Sequence, residues 1–143
     1  FPPEAVPGKE YPIQVPQVDA DGNDLGGVRY PDMQAPIATY IGWALRKAGF
    51  AEGELLMTNG CLKPFARSKA EREQIGDPRL SIEERYPTHQ AYIDIVKRAV
   101  DELVTEGFML AEDGEVYITA ARQRNPLDPS VALEPLVMAG KED

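Results

Sequence analysis

The sequence predicts an α+β fold, mostly helical, with a small N-terminal β-hairpin. Three observations carry this reading. In residues 88–107, THQAYIDIVKRAVDELVTEG, the residues Tyr92, Ile95, Val96, Ala99, Val100, Leu103 and Val104 recur at the spacing of one apolar helical face. Two capping-box patterns, Ser68 with Glu71 and Ser81 with Glu84, open shorter charged helices. Ahead of them, residues 12–30 alternate apolar and polar around a Gly/Asn/Asp cluster, the pattern of a strand, a turn and a strand.

Composition bounds the organisation. A chain of 143 residues suits one domain. Five prolines in the first sixteen residues (Pro2, Pro3, Pro7, Pro12, Pro16) and three in the tail (Pro126, Pro129, Pro135) mean that both ends lie extended over something. The self-supporting core is therefore expected over 13–124, with 1–11 as a lead-in, 12–124 as an α+β module and 125–143 as a tail. The net charge is −9, from 24 acidic and 15 basic residues, so a phosphate backbone is repelled and nucleic acid is not an expected partner. A single cysteine, Cys61, leaves no internal disulfide and no Cys-rich zinc site. No apolar run approaches the ~20 residues that span a membrane. Because Phe1 heads the chain in place of Met, the expected start is a processed chain, a recombinant product or an internal fragment.

In chain order, the 12–30 hairpin has Pro12 and Pro16 in its first strand, which restricts that strand to an edge. Asp19, Asp21, Asn23 and Asp24 open like an EF-hand loop, but Asp24 replaces the required Gly and Tyr30 the bidentate Glu. A structural Asx turn is the expected reading, and no metal. Residues 36–48 admit two readings. Ile37, Tyr40, Ile41, Ala44 and Leu45 form a helical stripe, whereas Ile37, Thr39, Ile41, Trp43 and Leu45 form a strand face; Arg46, Lys47 and Gly49 tip the preference slightly to helix. Trp43 is read as a packed core or interface residue. Residues 51–66 read as loop with a short strand over 55–57.

Short helices follow over 69–75 and 82–86, their interleaved charges read as a solvated, paired surface. The long helix over 88–106 starts at a Thr88 cap and stops at Gly107. Residues 108–124 could form a hairpin or a helix over 113–123. The acidic first turn and basic last turn suit the helix macrodipole, so the helix is preferred.

His89 is the only histidine and the natural acid/base candidate, and it would also have to serve as base for Cys61. A cap-region histidine and a small semi-buried thiol are the preferred readings of the two.

Three blocks in order, VPQVDADGNDLGGVRYPDMQAPIATYIGWALR, KPFARSKAEREQIGDPRLSIEERY and the long helix with its LAEDGEVYITAA sequel, closely resemble the C-terminal region of a bacterial α/β-hydrolase-domain family. The likeness covers about residues 10–122. Two blocks depart from the family's pattern: Ala44 stands where Asn is usual, and Gly60 and Cys61 where a small residue and an aromatic are usual.

The resemblance implies a C-terminal segment or subdomain associated with an α/β-hydrolase core. Such enzymes use a serine on a G-x-S-x-G-like elbow, then an acid and a histidine, and Ser68, Ser81 and Ser130 all lack that context. The triad is therefore expected upstream. The implied role is non-catalytic: bracing the core of a serine esterase-like hydrolase and shaping its substrate cleft. No catalytic residue is expected in the chain, His89 being the sole candidate. Trp43, Tyr40 and His89 are the expected binding residues, with no cofactor. Expected partners are the upstream hydrolase domain of the same polypeptide and a small ester-like substrate, with neither nucleic acid nor membrane. The compartment stays open between bacterial cytoplasm and a secreted or periplasmic location. The alternative is a self-contained protein-interaction module without enzymatic activity.

Overall fold

The computed structural model describes residues 7–8, 14–56 and 60–136. Along the chain run α1 (Pro31–Gln34), β1 (Ala38–Ile41), β2 (Ala44–Leu45), β3 (Leu55–Leu56), β4 (Cys61–Pro64), α2 (Lys69–Ile75), α3 (Ile82–Arg85), α4 (His89–Thr105) and α5 (Ala111–Gln123). The strands form two separate antiparallel pairs, β1 with β4 and β2 with β3. The fold is α+β.

The helical layer follows from local chemistry. Thr88 accepts a hydrogen bond from the Ala91 amide at the start of α4. Gly107 ends that helix in the left-handed region at φ 79°, where a side chain would be strained. The stripe of α4 buries Tyr92, Val96, Ala99, Val100 and Leu103. Against it packs α5, which buries Gly114, Ile118 and Ala121. The two helices approach so closely that a Cβ built on Gly114 would lie 2.5 Å from Val100 Cγ1.

The remaining elements close over this stripe. Ala35, Ile37, Phe65, Ile82, Tyr86, Tyr92, Val96, Ala121, Leu133 and Leu136 form one buried cluster, and full burial of each large apolar side chain is worth about 1.5–3 kcal/mol. Because Leu133 and Leu136 belong to it, the core does not stop at Arg124. Ser68 accepts from the Glu71 amide, and Ser81 forms a complete capping box with Glu84.

Three sequence expectations are corrected, the first being residues 61–64, which read as loop and form β4 because they pair with β1. Residues 36–48, for which a helix was slightly preferred, are extended: they carry β1 and β2. The reason is tertiary. The side chain of fully buried Asn23 donates to the Ala38 carbonyl at 3.2 Å and accepts from the Tyr40 amide at 2.7 Å, so one amide group substitutes for a neighbouring strand along β1. The expected N-terminal hairpin is reduced, among the described residues, to a single bridge between Val18 and Asp24. Here the Asp19 carboxylate takes the amides of Asp21 and Asn23, making the tight Asx turn that presents Asn23. Residues 12–13 and Met57 fall outside the described residues, as do the 1–11 lead-in except Pro7 and Gly8, and residues 137–143 of the tail.

The charges of 67–85 are also less solvated than the sequence suggests. Arg79, 7% exposed, forks onto Asp77 and also reaches the Thr39 hydroxyl and the carbonyls of Lys63 and Pro64. Its guanidinium lies 4.9 Å from the Phe65 ring centroid, and Arg85 lies 4.2 Å from the same ring. Arg85 in turn pairs with Asp21, and Arg72 with Glu84 at 2.8 Å. Hydrogen bonds from Arg72 and Ser81 hold the Glu84 carboxyl down to about 2.

Hydrogen bonds from Arg79 hold the Asp77 carboxyl well below the usual carboxylate range, with burial opposing them. A depressed native pKa stabilises the fold above the unfolded value near ~4, and that contribution disappears as pH falls through the native value. Asp77→Ala, which leaves Arg79 buried without its counter-charge, should cost about 3–5 kcal/mol at pH 7 in urea unfolding, and the gap to the wild type should narrow below pH ~4. Gly114→Ala should lose about 1 kcal/mol or more in the same assay. Overpacking against the β-branched Val100 outweighs a helix-propensity gain of about 1 kcal/mol.

Candidate functional site

The strongest candidate is a groove at the end of the β1–β4 ladder. Tyr40 stands opposite Leu62 and Ile41 opposite Cys61. The chain enters and leaves this corner through Gly42 and Gly60. A Cβ on Gly60 would lie 2.6 Å from the Ile41 carbonyl oxygen, so the backbones meet there only because residue 60 has no side chain. Glu134 and Pro135 complete the far wall, and the groove holds about 630 Å³, within the range of small-molecule sites.

That far wall belongs to the tail, which is tied down by hydrogen bonds. Arg67 donates to the carbonyls of Pro126, Asp128 and Val131, at 3.3, 2.9 and 2.5 Å. Arg124 donates to those of Glu134 and Pro135, at 3.2 and 2.7 Å. The Leu136 amide donates to the Asp32 carboxylate at 2.8 Å. Buried Leu133 and Leu136 anchor the same segment from below.

The Tyr40 hydroxyl is buried without a hydrogen-bond partner. Burial pushes its phenol far above the usual range, and the nearby Asp32 charge adds to the shift. Tyr40 therefore stays protonated and neutral at physiological pH. Burial likewise raises the Asp32 carboxyl, opposed by the Leu136 amide and Arg124. Glu134 sits 3.7 Å from Arg124 with its side chain 58% exposed. With the Tyr40 hydroxyl buried, this groove presents a thiol, one carboxylate and apolar walls.

The sequence-predicted residues part company in the structure. Tyr40 lines the groove. Trp43 is half-buried in the link between β1 and β2. His89 lies elsewhere, at the first position of α4, where its Nε2 donates to the Ala121 carbonyl near the end of α5 at 2.8 Å. That bond places the proton on Nε2 and commits the imidazole to joining two helices. Cys61 is exposed on β4. Ser68 and Ser81 cap α2 and α3, and Ser130 donates to Asp128 Oδ1 at 2.7 Å. Sequence reasoning did not place Leu62, Glu134 or Pro135 at a site. The prolines of the tail were the available signal, since they marked it as a segment lying over something else.

Two other depressions are less suited to a ligand. A cleft of about 740 Å³ is lined by Asp19, Arg29, Asp21 and Arg85, whose charges already neutralise one another in pairs. A groove of about 380 Å³ runs between Tyr30, Phe108, Leu110 and Val116, all exposed apolar or aromatic residues.

Residues 2–119 match the family of the alpha/beta hydrolase domain, and the chain belongs to that family. No curated protein and no solved structure matches it. Among the described residues no helix is long and apolar enough to cross a membrane.

If His89 joins helices and does no chemistry, His89→Ala should lower stability by about 1 kcal/mol in urea unfolding, the worth of one hydrogen bond. The alkylation rate of Cys61 in the groove should stay unchanged.

Proposed function

We propose that these residues form a non-catalytic C-terminal segment of a serine esterase-like hydrolase, bracing the hydrolase core and lending the Tyr40 groove to its substrate cleft. One observation carries the reading: the chain belongs to the alpha/beta hydrolase domain family, yet each of its serines is engaged in a helix cap or a turn, and its histidine is bonded to a backbone carbonyl. In such an enzyme a serine activated by histidine attacks the ester carbonyl, an acyl-enzyme forms, and water releases the acid. Those groups would come from polypeptide preceding this segment. The segment's contribution is shape: an apolar groove held rigid by the ladder on one side and the tail on the other.

The alternative, a self-contained interaction module, draws support from the exposed apolar groove of Tyr30, Phe108, Leu110 and Val116. Turnover of p-nitrophenyl butyrate separates the two. The hydrolase reading expects activity, abolished by an organophosphorus inhibitor, in a longer polypeptide that includes this segment, and none in the 143 residues alone. Inhibitor-sensitive turnover by the 143 residues alone would contradict it. An inactive longer polypeptide would favour the interaction module.

A further inference from the structure

We infer that Glu134 and Pro135 are specificity-determining residues of the Tyr40 groove, admitting uncharged apolar ester groups and turning away those that carry a carboxylate. The inference rests on the hydrolase reading above. Its physical basis is the composition and fixing of one wall.

Tyr40, Ile41, Leu62 and Pro135 give the groove apolar walls, and the Tyr40 phenol is neutral. Among the described residues that line it, Glu134 is the one carboxylate, and none is a lysine or an arginine. Arg124 is 3.7 Å away and already donates to the carbonyls of residues 134 and 135. The carboxylate is therefore only partly compensated. Its backbone is held, because Arg67, Arg124 and Asp32 bond the segment on both sides of it. A charge at the rim of a small groove acts on a ligand inside it, since screening at ~0.1 M salt extends over about 10 Å. An anionic group entering the groove meets repulsion with no basic residue among its described lining to offset the cost, whereas an alkyl or aryl group meets the apolar walls. These two residues lie beyond the family-matched span of 2–119.

Cys61 lines the same groove and reports on it directly. Alkylation by anionic iodoacetate and by neutral iodoacetamide uses the same thiolate, which displaces iodide in both cases, so the ratio of the two rates isolates the charge felt by the incoming reagent. In the 143-residue protein, Glu134→Gln should raise the iodoacetate-to-iodoacetamide ratio about threefold at low salt, and Glu134→Lys about tenfold. An unchanged ratio in both variants overturns the inference. In the longer polypeptide, the same substitutions should raise kcat/KM for p-nitrophenyl hydrogen succinate relative to p-nitrophenyl butyrate, with turnover of the butyrate retained. Active enzyme with unaltered selectivity also overturns it. If the longer polypeptide hydrolyses neither ester, the hydrolase reading fails and the substrate role with it, while the alkylation ratio still decides whether Glu134 governs the groove's charge.

Discussion

The buried pair of Arg79 and Asp77 is the interaction on which most of this architecture depends. A guanidinium at 7% exposure is costly to desolvate, and here its donors are distributed over the Asp77 carboxylate, the Thr39 hydroxyl and two backbone carbonyls. Those acceptors belong to β1, β4 and the turn after α2. One side chain thereby joins three segments far apart in sequence. Its contact with the Phe65 ring, shared with Arg85, extends the same junction into the apolar core and, through the Arg85–Asp21 pair, to the Asx turn. A two-stranded ladder is marginal by itself. This one persists because polar side chains supply the neighbours that further strands would otherwise supply: Arg79 beyond β4, and Asn23 beyond β1.

The helical half rests on a different constraint, close approach. Gly114 lets α5 settle onto Val100, and the His89 side chain joins the opposite ends of the two helices. Tyr86 meets Tyr92 edge to face at 5.0 Å and donates its hydroxyl to the Pro36 carbonyl, which carries the helix pair onto the segment entering β1. The tail then crosses this junction, bonded through backbone carbonyls to Arg67 and Arg124, and closes one side of the Tyr40 groove.

Much of the helical part was legible in the sequence because its determinants are local. The α4 stripe, the Thr88 cap, the Gly107 stop and the two serine caps each lie within a few residues of what they specify. The α5 helix could be preferred over a hairpin from its charge distribution, although its buried Gly114 argued the other way by propensity. Residues 36–48 were not legible, since stripe and strand face fit equally well and the deciding contacts come from Asn23, fifteen to seventeen residues upstream. β4 was missed for a related reason: Cys61–Pro64 is exposed along its whole length and shows no alternation. At the groove, Tyr40 could be nominated as a partly apolar aromatic. Glu134 could not, because its place there arises from a tail whose path is set by Arg124 and by Arg67, about sixty residues upstream of the carbonyls it binds.

The family assignment and the groove together motivate the proposed account, a bracing segment whose Tyr40 groove faces the substrate. Its most direct test is a crystal structure of a longer, hydrolytically active polypeptide trapped with an alkyl phosphonate on its nucleophile. The account expects the alkyl chain to lie between Tyr40 and Pro135, with His89 remote and still bonded to Ala121. An alkyl chain bound elsewhere, with the Tyr40 groove facing bulk solvent away from the nucleophile, would contradict it.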